Sequence, residues 1–194
     1  MTDIRALTVF CGSRNGADPA YRAAAEAFGE LLAREGITLV YGGGRVGLMG
    51  VIADRVLAGG GQVVGVIPDF LMELEVGHGA VTELVRVPNM HTRKSEMFTR
   101  SDGFVVLPGG LGTLEEAFEI ITWKQLQLHA KPVVVLDTHG YWQPFVRLCE
   151  ATIAGGFAHD RTRDLFTAVA TVEEILPALR SQPTPDRIVL ESHL

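Results

Sequence analysis

Apolar runs of four to six residues alternate along the chain with longer stretches in which apolar side chains recur every three or four positions. Runs of the first kind predict strands and stretches of the second kind predict helices. Strands are expected at residues 7–10, 37–41, 62–67, 84–87, 103–107, 132–136 and 166–170. Helices are expected at 19–35, 48–57, 90–99, 113–128, 141–154 and 172–179. Asp18, Pro19 and Gly36 punctuate the first helix as cap, first turn and stop. Its alanines at 20, 23, 24, 25 and 27 suit close packing. Residues 69–82 have no clean period and read as a long excursion with a short turn of helix.

The expected strands are continuously apolar rather than alternating. Strands of that kind are buried on both faces, as in a parallel sheet covered by helices. The fold class is therefore α/β, doubly wound, with helices on both faces. A length of 194 residues fits one domain, expected over 1–181, with an irregular tail at 182–194. In such sheets ligands bind beyond the carboxyl ends of strands, where strand order reverses. The glycine clusters at 42–44 and 109–112 both follow strands and so belong on that rim.

Composition narrows the partners. Hydrophobic residues make up 47% and charged residues 21%, as in a folded globular chain. The net charge of −6 gives no broad field for a nucleic-acid backbone or an anionic membrane, so neither is an expected partner. A small anionic ligand stays open, because local geometry can overrule net charge. Cys11 and Cys149 form neither a metal-ligand spacing nor a disulfide framework, and the six histidines are scattered. No metal is expected, and free core thiols fit a cytoplasmic location. No secretory leader and no apolar stretch of bilayer length are visible.

The strongest chemical signal is Pro108-Gly109-Gly110-Leu111-Gly112-Thr113-Leu114-Glu115-Glu116, which leaves a strand, turns on glycines and enters a helix. Unpaired N–H groups at a helix N-terminus suit a phosphate. Lys-Ser/Thr does not follow, so this is no Walker loop. The glycine spacing after the first strand is not the dinucleotide fingerprint either. Glu116 has two open readings. With Thr113 it is spaced as a capping box, and it is also a carboxylate beside an anion site.

Arg93 and Lys94 sit in a polar helix after the fourth strand, pointing about 100° apart. One can face the site while the other faces solvent or a partner, and plain surface charge is the competing reading. Ser13 and Arg14 after the first strand, and Gly43 and Gly44 after the second, can reach the same ligand. Ser13 is no triad nucleophile, since G-x-S-x-G is absent. On the long helix, Ala117, Ile120, Ile121, Lys124 and Leu128 share a face that can lie on the sheet. Trp123, Leu126 and His129 lean elsewhere, which points to a subunit contact. Thr122 is polar within this run and can face either the pocket or solvent.

Taken together, Gly12-Ser13-Arg14, Tyr41-Gly42-Gly43-Gly44 with Gly47-Leu48-Met49-Gly50, Met90-His91-Thr92-Arg93-Lys94 and residues 108–116 resemble the LONELY GUY (LOG) family. Its members are cytokinin riboside 5′-monophosphate phosphoribohydrolases. The resemblance covers about residues 5 to 180. It implies a Rossmann-like sheet, a homodimer with the site near the interface, and no cofactor. It implies hydrolysis of the N-glycosidic bond of N6-substituted adenosine monophosphates, and of AMP, to a free base and ribose 5-phosphate. Motif by motif, the family's catalytic residues fall on Arg93 and Glu116. Lys94, Gly109, Gly110, Gly112, Thr113 and Thr122 fall on positions around the substrate, and Glu75 matches a binding carboxylate within different flanking residues. Members often carry the label lysine decarboxylase, for which the sequence supplies no Schiff-base lysine.

Overall fold

The computed structural model describes residues 3–73 and 77–182. Seven strands form one sheet: β1 (Ala6–Phe10), β2 (Thr38–Tyr41), β3 (Val63–Pro68), β4 (Glu83–Val87), β5 (Gly103–Val106), β6 (Val133–Leu136) and β7 (Thr167–Val169). Every pairing is parallel, in the order β4-β3-β2-β1-β5-β6-β7. Strand order therefore reverses between β1 and β5. Among the described residues seven α-helices connect and follow the strands: α1 (Pro19–Arg34), α2 (Gly47–Ala58), α3 (Asp69–Glu73), α4 (Met90–Thr99), α5 (Leu111–Gln125), α6 (Gln143–Ala154) and α7 (Ile175–Ser181).

The sheet divides the core in two. Leu7, Val9 and Leu39 pack with Phe28, Leu32, Ile52 and Leu176 on the side of α1, α2 and α7. Phe10, Val66 and Phe104 pack with Met97, Ile120, Ile121 and Phe145 on the side of α4, α5 and α6. Alternate residues of β1 thus serve opposite cores, which is why its run is apolar on both faces but for one position. Its one polar member, Thr8, is satisfied: its hydroxyl meets Ser101 Oγ at 2.5 Å and donates to Met97 O.

Helix starts follow the capping signals where a side chain can accept. The Asp18 carboxylate accepts from Ala20 N at 2.8 Å with Pro19 in the first turn. Asn89 does the same for Thr92 N at the head of α4. Of the alanines expected to pack α1, only Ala25 is fully buried, and Ala24 lies at the core edge.

Helix α5 departs from expectation at both ends. It begins at Leu111, two residues early, because Gly110 itself supplies the extended cap. It stops at Gln125, since Gln127 turns into positive φ, and Leu128 is left 66% exposed instead of on the sheet. Ala117, Ile120, Ile121 and Lys124 do face inward.

The expected tail lies outside the described residues apart from Gln182, which is tied down. Its Oε1 accepts from Val133 N and Lys124 Nζ, and its Nε2 donates to Val133 O and Thr167 Oγ1.

Candidate active site

The reversal of strand order opens a crevice between the loops that leave β1 and β5. Gly12 N donates to Pro108 O at 3.0 Å, so the two loops touch at its floor. A Cβ on Gly109 would collide with Thr113 and with Gly12 N, so only glycine lets these backbones close. A cavity of about 470 Å³ lies above this floor. Ser13 and Arg14 come to it from the loop after β1, and Gly44 from the loop after β2. Arg93 comes from α4, and Gly110, Gly112, Thr113 and Glu116 from the start of α5. Val46, Met49, Ile67, Leu71, Met97 and Leu111 give it apolar walls.

The first turn of α5 presents the N–H groups of Leu111, Gly112 and Thr113 to this space, with no helical partner for any of them. The first intrahelical bond runs from Leu114 N to Gly110 O. A second cavity of about 510 Å³ shares Ser13, Arg14, Gly110 and Leu111 with the first. The head of α5 is therefore open from two sides. On the second side Tyr141 donates its hydroxyl to Gly109 O at 2.5 Å and steadies the loop.

Arg93 and Glu116 form the charged centre. Arg93 Nη1 stands 3.4 Å from Glu116 Oε1, and each side chain is 9% exposed. The guanidinium is held by Nε donating to Val66 O at 3.2 Å, and its other edge lies against Gly42, where a Cβ would overlap it. Burial pushes the Glu116 carboxyl up to about 7, with the Arg93 charge working in the opposite direction. Burial thus favours the protonated carboxyl and the Arg93 guanidinium the ionised one. Burial, with the charge of Glu116 added to it, also raises the Cys11 thiol at the end of β1. That thiol is not a nucleophile.

The capping-box reading of Glu116 fails. Thr113 lies inside α5 and Gly110 is its cap, so Glu116 has no cap N–H to serve. Lys94 and Thr122 do not line the cavity. Lys94 pairs instead with Glu115 and Glu119, and Thr122 is exposed further along α5. Gly43 is buried behind the cavity and Gly109 lines only the second one. Glu75 lies outside the described residues. Sequence reasoning missed Gly42, because a glycine run does not show which member a guanidinium will rest on.

Among the described residues no helix is long and apolar enough to cross a membrane, and no cluster of three or more metal-ligating side chains occurs.

A family model described as "Possible lysine decarboxylase" matches residues 49–179. The chain is 46% identical over 170 residues to "Probable cytokinin riboside 5′-monophosphate phosphoribohydrolase LOGL1" of Oryza sativa subsp. japonica, covering 88% of this chain and 76% of that one. It is 43% identical over 172 residues to "Cytokinin riboside 5′-monophosphate phosphoribohydrolase LOG" of the same plant, covering 89% and 71%. The corresponding Arabidopsis thaliana LOG3 is 40% identical over 185 residues, covering 95% and 86%. Among solved structures, the molybdenum cofactor binding protein of Rippkaea orientalis superposes with a TM-score of 0.69 at 21% identity, over 93% of this chain and 98% of that one. At that identity the likeness is one of fold.

Proposed function

Since the chain belongs to the LOG family of cytokinin riboside 5′-monophosphate phosphoribohydrolases, we propose that this cavity hydrolyses the N-glycosidic bond of N6-substituted adenosine 5′-monophosphates, and of AMP, releasing free base and ribose 5-phosphate. The observation that carries the assignment to this site is the buried Arg93–Glu116 pair beside an open helix N-terminus.

The 5′-phosphate is taken up by the N–H groups at the head of α5, with Ser13 and Arg14 at the rim. Arg14 makes no ion pair among the described residues. Anchoring the phosphate holds the ribose against Glu116 and spends remote binding energy on orientation. Cleavage builds positive charge on the ribose ring, as in other glycoside hydrolyses. The ionised Glu116 carboxylate stabilises that charge and takes a proton from the attacking water, while the base leaves with the electron pair of the broken C–N bond and receives that proton in turn, which suits a group titrating at about 7. Arg93 orients the carboxylate. It is no general acid, because a guanidinium does not release its proton in this range. The apolar walls at Met49, Ile67 and Leu71 suit the base and an apolar N6 substituent.

None of the chain's three lysines lines the cavity. The decarboxylase label therefore finds no residue for a Schiff base here. The exposed apolar side chains of Phe118 on α5 and of Leu126 just beyond its end support a homodimer, with the site close to the contact. Sedimentation of the purified chain tests that state.

The deciding experiment incubates the protein with AMP, isopentenyl-adenosine 5′-monophosphate and the two parent nucleosides, and follows free base by chromatography. Base from the monophosphates alone is expected. Tight binding of AMP without base release would overturn the reading.

A further inference from the structure

The reaction as proposed uses Arg93 and Glu116, but their sequence neighbours form a second charged group on the same two helices. Lys94 Nζ stands 2.5 Å from Glu115 Oε1 and 3.0 Å from Glu119 Oε1, with only 14% of its side chain exposed. Glu115 and Glu119 are one turn apart on α5, so a single ammonium from α4 can grip both. Burial works against the Lys94 charge, but the bonds to the two carboxylates outweigh it and hold its pKa above the usual lysine value.

We propose that Lys94 is a positioning residue of the active site: it clamps α4 to α5 through Glu115 and Glu119, and so fixes Arg93 against Glu116 and offsets the two negative charges that flank that carboxylate. This rests on the function proposed above for the Arg93–Glu116 pair.

Two features argue for a clamp in preference to ordinary surface pairing. The first is placement. Consecutive residues of α4 divide the work, Arg93 turning into the cavity and Lys94 turning to the outer face of the same helix contact. The ring contact of Phe98 with Trp123 joins the two helices toward their C-terminal ends, and Lys94 joins them near the site. The second is charge. The groups that face Glu116 are Arg93 and Lys94 from α4, Glu115 and Glu119 from α5 itself, Cys11 just after β1 and Arg14 across the cavity. Glu115 and Glu119 favour a protonated Glu116, whereas Arg93 and Lys94 favour an ionised one. Removing Lys94 takes away one cation and leaves both flanking carboxylates uncompensated.

The test titrates the Glu116 carboxyl by NMR in the full chain carrying ¹³C-labelled glutamate, with the resonance assigned from Glu116→Gln. Lys94→Met is expected to raise the Glu116 midpoint by about half a unit or more. Lys94→Arg, which keeps the charge, should hold it near the wild-type value. Glu119→Gln should lower it, which is the opposite sign to Lys94→Met. In turnover, the acid limb of kcat for Lys94→Met should move to higher pH with the KM for nucleotide little changed. An unmoved midpoint in folded Lys94→Met overturns the proposal. If that variant does not fold, an unmoved midpoint in folded Lys94→Gln overturns it instead. The titration needs no turnover. A wild-type chain that releases no base would therefore remove the functional reading and leave this test standing.

Discussion

Arg93 reaches Glu116 across the cavity at 3.4 Å, and Gly42 lies directly behind its guanidinium. Three separate loops and helices therefore converge on one ion pair that is almost closed to water. A pair so placed is costly to desolvate and does little for stability on its own. It stands at the reversal of the sheet, beside unpaired helix N–H groups, and the reaction proposed above gives it a use that packing does not supply.

If Glu116 acts in the transition state, its removal should show in kcat. Glu116→Gln is expected to lower kcat about a hundredfold or more, with a KM change of less than about threefold. Steady-state release of free base from AMP measures both. Equal kcat in the variant and the wild type would remove Glu116 from the reaction.

Gly42 gives a sharper test of Arg93. A methyl group there would overlap the guanidinium, while the φ of Gly42 is not in the left-handed region, so the backbone itself tolerates alanine. Gly42→Ala should therefore act by displacing Arg93. A loss of about tenfold or more in kcat/KM is expected. The double variant with Arg93→Ala should be no worse than Arg93→Ala alone, since residues acting through one contact are not additive. Additive losses would mean that Gly42 matters for another reason.

Much of this arrangement was legible in the chain. Continuous apolar runs report strands buried on both faces, and Leu7, Phe10, Val66 and Phe104 fill both sides of the sheet as that requires. The glycine turn at 109–112 shows itself as the passage from a strand to a helix on the rim, and the structure places it beside the two cavities there. At the head of α5, Thr113-x-x-Glu116 mimics a capping box and leaves two readings of Glu116 open. What decides is the backbone at Gly110, which takes the extended cap conformation without any side chain to announce it. The destination of Lys94 was also hidden. Adjacent cations on a helix point apart, but only the packing of α4 against α5 decides which one meets the cavity and which one meets Glu115 and Glu119.

The raised pKa of Glu116 carries a signed consequence for stability. Its folded value, about 7, lies above its ordinary 4.5. Above pH 4.5 the unfolded chain ionises this group more readily than the folded one, so the fold loses stability as pH rises through 7. Glu116→Gln removes that loss. The stability of the variant relative to wild type should increase between pH 5 and pH 8 by about 1–3 kcal/mol. Urea unfolding at the two pH values measures it. A constant difference would mean that Glu116 titrates near its ordinary value in the folded chain.

Lys124 offers the same argument with the charge reversed. It is fully buried in α5, its ammonium donates to Gln182 Oε1 at 2.7 Å, and burial lowers its pKa from 10.5 to about 8. Between pH 8 and 10.5 the unfolded chain holds this proton and the folded chain releases it. Stability attributable to Lys124 therefore rises with pH across that window. At pH 7 the folded chain bears a buried charge with one neutral acceptor. Lys124→Met keeps the length of the side chain, removes the charge and leaves Gln182 Oε1 still bonded to Val133 N. The variant is expected to unfold at a higher temperature than wild type at pH 7, by about 1–2 kcal/mol in stability, and the gain should shrink by pH 10. Calorimetry at both pH values reads the two quantities. A loss of stability at pH 7 would show that the Lys124–Gln182 bond, which fastens the end of α7 to α5, outweighs the cost of the buried charge.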